Sequence, residues 1–547
     1  KILANHVNNV FRDRQPWQIV VITTTTVLGG VWLYEFFVQD EGVVSRSKKF
    51  FFRMARKVPF VQAKITKELE TIAQGFEETA INQSKGVSFI TELPELGMSD
   101  QEILSLVDEH LQLGHYKWKE GRVSGAVYYY DPALVALTQT VYGRASYTNP
   151  LHSDIFPGIC KMEAEVVRMT ANLFHGGPEA CGTMTTGGTE SLIMACKAYR
   201  DYARAEKSIR RPNIVMPVTA HSGFDKAAQY LNIHIHTVAL DNYMTVDIAK
   251  MEAAINSNTV MLVGSAPNYP YGTVDNIEAI ARLGRKYNIP VHVDACLGGF
   301  VIIFMKRAGY PLPPFDFRVP GVTSISADTH KYGFAPKGSS VILYSEKKYR
   351  RHQFTVTTDW PGGVYGSPSV NGSRAGGVIA ATWATLVRFG MDGYIEATKR
   401  IVDTAKYIER GLRTMEGIYV FGQPATSVIA FGSRIFDIYR LSGALSALGW
   451  NLNNLQFPPG VHICVTFMHT REGVADKFLQ DVREALVELL KEPGRPVEGK
   501  MAIYGVAQSL PDRSLVGDFT KLFLESTYYT PEEKVTKNAR NGSLDSK

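Results

Sequence analysis

Apolar positions along this chain fall into runs of two kinds. One long run, from Trp17 to Val38, covers 22 mostly apolar residues without proline, interrupted by Thr23 to Thr26 and by Glu35 near one end. It meets the roughly 20 residues needed to cross a bilayer. It is longer than the core of a signal peptide, and no clear Ala-x-Ala cleavage site follows. A transmembrane helix is therefore predicted at 17–38. The remaining runs are short: 213–218, 259–264, 289–294, 322–327 and 339–344, separated by helix-forming stretches. That alternation predicts an α/β fold over residues 151–380, with a mainly parallel central sheet and ligands at its strand ends. Two further runs, Ser427 to Gly432 and His462 to Met468, lie among helical stretches and predict a small C-terminal α/β domain over 381–530.

Between the long run and the sheet, residues 39–90 read as a basic tether and a polar helix without a core of its own. An N-terminal arm follows at 91–150. In it, Ser99-Asp100-Gln101-Glu102 has the serine and acid of a capping box, which predicts a helix running towards His110. Residues 531–547 are polar and are expected to be disordered. At 547 residues, 45% hydrophobic and 20% charged, the chain can bury a substantial core. Five cysteines, at 160, 181, 196, 296 and 464, form no Cys-x-x-Cys pair. They suggest a reducing compartment and argue against a disulfide or zinc framework.

Charge changes the picture by its placement. Residues 1–67 carry a net +7 against +6 for the whole chain, so the basic character belongs to the N-terminus. A nucleic-acid partner, which would want a basic stripe on the folded domain, is excluded on that ground. Arg46, Lys48, Lys49, Arg53, Arg56 and Lys57 follow the apolar run, while only Lys1, Arg12 and Arg14 precede it. The positive-inside rule then makes 1–16 a short luminal segment, puts the C-terminal bulk in the cytosol, and lets the basic cluster sit near anionic lipid. The sequons Asn371-Gly372-Ser373 and Asn541-Gly542-Ser543 should stay bare there.

The chemistry gathers at strand ends. Ser324 to Gly338 is an apolar run that stops at a polar turn carrying His330-Lys331. A lysine there can hold an aldehyde cofactor covalently if its pKa, ordinarily about 10.4, is lowered so that the amine is neutral. Pyridoxal phosphate is the cofactor that uses such a lysine. It also needs a carboxylate at its ring nitrogen, a phosphate cradle and a wall against the ring. Asp294, ending the run Ile289 to Asp294, supplies the carboxylate, although a turn aspartate before Gly298-Gly299 reads equally well locally. Thr186-Gly187-Gly188-Thr189-Glu190-Ser191 opens a helix-forming stretch, so Gly187, Gly188 and Thr189 supply the cradle. His221, after the run Asn213 to Val218, supplies the wall.

These residues carry a resemblance. The chain resembles the sphingosine-1-phosphate lyase family from about Trp17 to Tyr528. The resemblance rests on Asn149-Pro150-Leu151-His152-Ser153-Asp154-Ile155-Phe156-Pro157-Gly158, Thr186 to Ser191, His292-Val293-Asp294-Ala295-Cys296-Leu297-Gly298-Gly299-Phe300, and Ala327-Asp328-Thr329-His330-Lys331-Tyr332-Gly333. The Gly-Gly-Thr-Glu and His-Lys pieces are shared with pyridoxal phosphate decarboxylases. The Asn-Pro-Leu-His piece and the apolar run narrow the match to the lyases.

The resemblance implies the fold type I, aminotransferase-like architecture of pyridoxal phosphate enzymes, with His330 beside the cofactor. It implies cleavage of the C2–C3 bond of a phosphorylated long-chain base to a fatty aldehyde and phosphoethanolamine. It further implies an endoplasmic reticulum membrane and a homodimer with shared active sites. For proton transfer it implies Tyr128, Lys337 or His152, with Tyr129 and Tyr130 adjoining the first. For the substrate's phosphate it implies Ser373, Arg374, Tyr365 and His152, although an internal ion pair is an equal role for Arg374. An amino-acid decarboxylase is the alternative activity, and a membrane-bound scaffold without catalysis is the third reading.

Overall fold

The structure is a computed structural model that describes residues 8, 11–37, 47, 50–52, 54–497 and 512–531. The basic residues Arg46, Lys48, Lys49 and Arg53 and the tail from 532 lie outside the described residues. Two compact units are present: residues 115–508, and a smaller one drawn from 1–114 and 509–547.

The larger unit is built on a seven-stranded sheet. Its strands are β1 (Cys181–Thr185), β2 (Asn213–Pro217), β3 (His234–Val238), β4 (Thr259–Ser265), β5 (Val291–Asp294), β6 (Val322–Ala327) and β7 (Ser340–Tyr344), in the order β1-β7-β6-β5-β4-β2-β3. β2, β3, β4, β5 and β6 pair in parallel, and β7 runs antiparallel to both β6 and β1. The mainly parallel sheet expected from sequence is thus present.

Side chains alternate between two apolar layers, as a strand's period of two requires. Ile214, Met216, Met261, Val263, Ile342 and Tyr344 pack with Leu192, Ala195 and Tyr199 of the helix Gly188–Lys207. Val215, Leu262, Val293, Val341 and Leu343 join a second cluster with Phe300 and Phe304 of the helix Gly299–Met305.

Two strands escaped the hydrophobic pattern. β1 is fully buried yet reads Cys-Gly-Thr-Met-Thr. Its hydroxyls are satisfied internally, Thr183 Oγ1 by Gln353 Nε2 at 2.7 Å and Thr185 Oγ1 by Ser191 Oγ at 2.7 Å. A Cβ at Gly182 would stand 2.2 Å from the Ile342 carbonyl oxygen, so only glycine lets β1 lie against β7 here. β3 is the sheet edge and is accordingly polar.

Short strands β8 (Thr355–Thr357) and β9 (Tyr365–Ser367) form a hairpin. Within the same unit lies a four-stranded antiparallel sheet, β10 (Tyr419–Val420), β11 (Val428–Gly432), β12 (Asn453–Leu455) and β13 (Gly460–Cys464), in the order β10-β11-β13-β12. β11 matches its expected run, whereas β13 stops at Cys464 and Phe467–Thr470 turns into a short 3-10 helix.

The expected boundary at 380/381 cuts through a helix, Gly376–Arg413, whose backbone breaks later, at Gly390. Tyr332 ties the two sheets together: its hydroxyl donates to the Val465 carbonyl at 2.6 Å and lies 2.7 Å from Ser427 Oγ.

In the smaller unit the helix Asp100–Leu111 opens with the expected capping box, Ser99 Oγ and Glu102 each bonding the other's backbone N–H. The helix Arg513–Ser526 packs with the helix Pro59–Gln83, through Phe523 on Phe76 and through Arg56, which pairs with Asp512 and Asp518 at 2.9 Å each. The helix Pro16–Phe37 is long and apolar enough to cross a membrane, and none of its apolar stretch Pro16–Leu33 is buried. It fits a single-pass membrane anchor.

Candidate active site

Four of the sequence-predicted groups sit at the C-terminal ends of parallel strands, where an open α/β sheet places its ligands. β6 ends at Ala327, and the turn that follows carries Asp328, His330 and Lys331. Asp328 was not singled out from sequence, but it governs the site. Its Oδ2 lies 2.9 Å from Lys331 Nζ and 3.8 Å from His330 Nε2, while Oδ1 is buried with no hydrogen-bond partner. The signal that could have found it is the one that found Asp294: an acid ending a buried apolar run.

This pairing corrects one expectation. Burial lowers the Lys331 pKa, but the Asp328 carboxylate, with Tyr128 and Cys296 acting in the same direction, more than offsets it and the net shift is upward. In the chain itself the amine is therefore a paired ammonium, not the neutral group that desolvation alone would give. His330 shifts the other way, lowered chiefly by burial. Its Nδ1 accepts the Ser339 N–H at 3.2 Å.

β1 ends at Thr185 and leads through Thr186 and Gly187 into the helix Gly188–Lys207, whose first N–H groups are free for an anion. A Cβ at Gly188 would fall 2.9 Å from Asp328 Oδ2 and 3.0 Å from Cys296 Sγ, and one at Gly187 would lie 3.4 Å from His330 Cε1. The cradle and the Lys331 turn are thus neighbours.

β5 ends in Asp294, whose Oδ1 accepts the Cys296 N–H at 3.0 Å. Beneath it His292 is fully buried between Ser324 Oγ at 2.8 Å and Ser326 Oγ at 3.1 Å, and burial lowers its pKa to about 4. Beyond β2, His221 Nδ1 accepts the Gly223 N–H at 3.0 Å. A Cβ at Gly223 would lie 3.7 Å from Thr189 Cα, so this turn packs directly on the cradle.

Of three consecutive tyrosines, Tyr128 faces the lysines. Lys337 Nζ stands 4.8 Å from its ring centroid, and Tyr332 meets it edge-on at 4.8 Å. Tyr129 packs among Phe334, Phe389 and Phe467, and Tyr130 against Trp118. Burial raises the Tyr128 pKa, Cys464 adds to the rise, and Lys331 opposes it. The Lys337 pKa is lowered, first by the protein atoms crowding its amine and then by the Lys331 cation, although the residue keeps an exposed side on this chain.

The residues implied for a substrate phosphate are brought together by backbone anchors. Asn149 Oδ1 accepts N–H groups from both Leu151 and Arg374, at 3.1 Å each, which draws the His152 turn to the loop carrying Ser373. A Cβ at Gly372 would stand 2.8 Å from Tyr365 Oη, so that phenol lies over the same loop. Ser373 and His152 are exposed. The guanidinium of Arg374 is ion-paired with Glu163, which also accepts the β1 N–H of Met184 at 3.3 Å. The internal pair therefore engages Arg374, and its Nε is buried with no partner. A cavity of about 660 Å³ lined by Phe304, Leu386 and Tyr394 contains none of these groups.

The donor set fits pyridoxal phosphate: an amine, an acid at a neighbouring strand end, an imidazole beside the cradle, and a cradle whose space a single Cβ would fill. Residues 90–434 match the pyridoxal-dependent decarboxylase conserved domain. The chain is 64% identical over 535 residues to the sphingosine-1-phosphate lyase of Drosophila melanogaster, covering 98% of each. Among solved structures it is similar to the sphingosine-1-phosphate lyase of Burkholderia pseudomallei, at 39% identity and a TM-score of 0.75, covering 82% of this chain and 99% of that one. Its likeness to Lactobacillus brevis glutamate decarboxylase, at 22% identity and a TM-score of 0.64 over 74% of this chain and 96% of that one, is one of fold alone. A pyridoxal phosphate enzyme by its conserved domain, the chain belongs to the sphingosine-1-phosphate lyase family.

Proposed function

We propose that this chain cleaves the C2–C3 bond of a phosphorylated long-chain base, such as sphingosine 1-phosphate, releasing a long-chain aldehyde and phosphoethanolamine. The observation that carries this reading is the Lys331 turn, an amine beside Asp328 with the glycine cradle against it, in a chain 64% identical end to end to a lyase. Gly187, Gly188 and Thr189 would hold the cofactor's phosphate, with His330 beside it, and His221, Asp294 and Lys331 would serve its ring face, its ring nitrogen and its aldehyde. Bound there, pyridoxal phosphate supplies an electron sink for the pair released when a bond to the amino-bearing carbon breaks.

The chain's own residues then manage protons. Lys337, with its lowered pKa, takes the proton of the substrate's 3-hydroxyl, the oxygen becomes the aldehyde carbonyl, and the C2–C3 pair stays with C2, to which the Lys337 ammonium returns the proton. Tyr128, with its pKa raised, remains a phenol and donates a hydrogen bond to the oxygen as it changes. His152 is the alternative base. Ser373, Tyr365, His152 and the free edge of Arg374 receive the substrate's phosphate, in a homodimer whose loops reach the neighbouring site. The apolar helix Pro16–Phe37 and the basic residues after it support a position on the endoplasmic reticulum membrane with the catalytic part in the cytosol. A tether there shortens the search for a lipid head group.

Incubation of the purified full chain with a phosphorylated long-chain base is the test. Long-chain aldehyde and phosphoethanolamine should appear in equal amounts, and Lys331→Ala should make neither. Carbon dioxide from amino acids with no aldehyde would establish the decarboxylase instead, and absence of the visible absorbance of lysine-bound pyridoxal phosphate would leave only the scaffold.

A further inference from the structure

The cradle helix carries a buried acid that the chemistry above does not use. Glu190 is 7% exposed, and its carboxylate takes three uncharged donors. Oε2 accepts the Thr186 N–H at 2.7 Å and the Thr186 hydroxyl at 2.6 Å. Oε1 accepts the Val370 N–H at 3.0 Å. Thr186 immediately precedes Gly187 and Gly188. Val370 lies in the loop between Tyr365 and Ser373, and its own side chain is exposed, so its backbone is what the site recognises.

The far end of that loop is fixed separately, by the Arg374 N–H on Asn149 Oδ1 at 3.1 Å. On the near side Gln353 Nε2 holds the Pro368 carbonyl at 2.5 Å. Ser367 Oγ holds the Asn371 carbonyl at 2.8 Å, so Gly372 and Ser373 are the short span left between anchors, and Glu190 is the anchor that also touches the cradle.

We propose that Glu190 is a positioning residue that sets the distance between the cofactor's phosphate cradle and the loop that receives the substrate's phosphate. It thereby favours phosphorylated bases whose amine and phosphate match that span. The inference rests on the assignment of the Tyr365–Arg374 loop to the substrate's phosphate. A carboxylate is required because both oxygens accept; the amide of glutamine has one acceptor, and its NH₂ would face an N–H donor.

Glu190→Gln is the first variant, made in the full-length holoenzyme. Hydrogen exchange should show the Val370 amide losing protection. KM for the phosphorylated base should rise about tenfold with kcat within about twofold, and the Kd for pyridoxal phosphate should rise about fivefold. The preference over the unphosphorylated base should fall with KM. Val370→Pro, which removes the N–H donor without touching Glu190 or Thr186, should reproduce the KM change while leaving the Kd for pyridoxal phosphate unchanged.

An unchanged KM in both variants overturns the proposal, as does a fall in kcat with KM constant. Ser373→Ala separates the two readings. If it leaves KM for the phosphorylated base unaltered, the loop is not the phosphate site and the underlying assignment fails. If it raises KM while Glu190→Gln does not, the positioning role alone fails.

Discussion

Asp328 Oδ2 lies 2.9 Å from Lys331 Nζ, three residues ahead of it in the same turn, and the other oxygen of that carboxylate is buried without a hydrogen bond. The pair holds the amine in its charged form. Because the folded pKa of Lys331 is raised, the pair's contribution to stability is complete below the unfolded value of about 10.4 and is lost as pH climbs through the higher folded value. Lys331→Ala in the cofactor-free protein leaves Asp328 as an uncompensated buried charge and should cost about 3 kcal/mol. The double variant Lys331→Ala, Asp328→Asn should recover part of that cost in urea unfolding near neutral pH. Asp328→Asn alone should lower the Lys331 pKa, so that pyridoxal phosphate is trapped at a lower pH, followed by the growth of visible absorbance. Equal unfolding midpoints for the single and double variants would show that the pair does not hold the turn.

Gly188→Ala tests the cradle by volume. The added methyl would stand 2.9 to 3.0 Å from both Asp328 oxygens and Cys296 Sγ, too close for any of them without a shift, and all three belong to buried groups. Overpacking of this kind costs about 1–3 kcal/mol. The Kd for pyridoxal phosphate should rise at least about tenfold, because the methyl sits where the helix N–H groups meet an anion. A melting temperature lowered with cofactor affinity intact would place the phosphate elsewhere.

The parts of the fold that were legible in sequence are those where burial dictates composition. β2, β4, β5, β6 and β7 are buried runs, mostly apolar, and their limits lie within two residues of those the runs predict. β1 was not, because its threonines are satisfied by Gln353 and Ser191, partners distant in sequence or on the next helix, and its glycine is a close-approach residue. What the helix Arg513–Ser526 packs on is not readable from its own residues, because its partners Arg56 and Phe76 lie far upstream. At the site, single-strand motifs pointed to Lys331, Asp294 and Gly187-Gly188. Asp328 was within a quoted motif, yet its effect on Lys331 depends on a distance that spacing does not give. Arg374 shows the same limit, since Glu163 is over two hundred residues away in sequence.

The apolar helix yields a fractionation test. No residue of the stretch Pro16–Leu33 is buried, so removing it opens no core. A chain lacking residues 1–38 should move from the membrane pellet to the supernatant while keeping the absorbance of bound pyridoxal phosphate. Continued sedimentation with membranes would assign the anchoring to the basic segment that follows, through anionic lipid.

Lys337 and Tyr128 make a pH prediction with a defined sign. Lys337 has a lowered pKa, chiefly from crowding by protein atoms, whereas burial raises that of Tyr128. A lysine acts as base only once deprotonated, so kcat/KM should rise with pH through a limb whose midpoint lies below the ordinary lysine value of about 10.4. Lys337→Gln should remove that limb and lower kcat by about 10² to 10⁴. Tyr128→Phe should keep the limb, because the phenol is protonated across it, and lower kcat about a hundredfold by deleting one donor to the developing carbonyl. The two substitutions remove different protons, so their pH profiles separate them even where the losses in rate are alike. A limb that survives Lys337→Gln and disappears in His152→Ala would transfer the base to His152, whose exposure on this chain leaves it free to meet a substrate that bridges the Asn149 turn and the Ser373 loop.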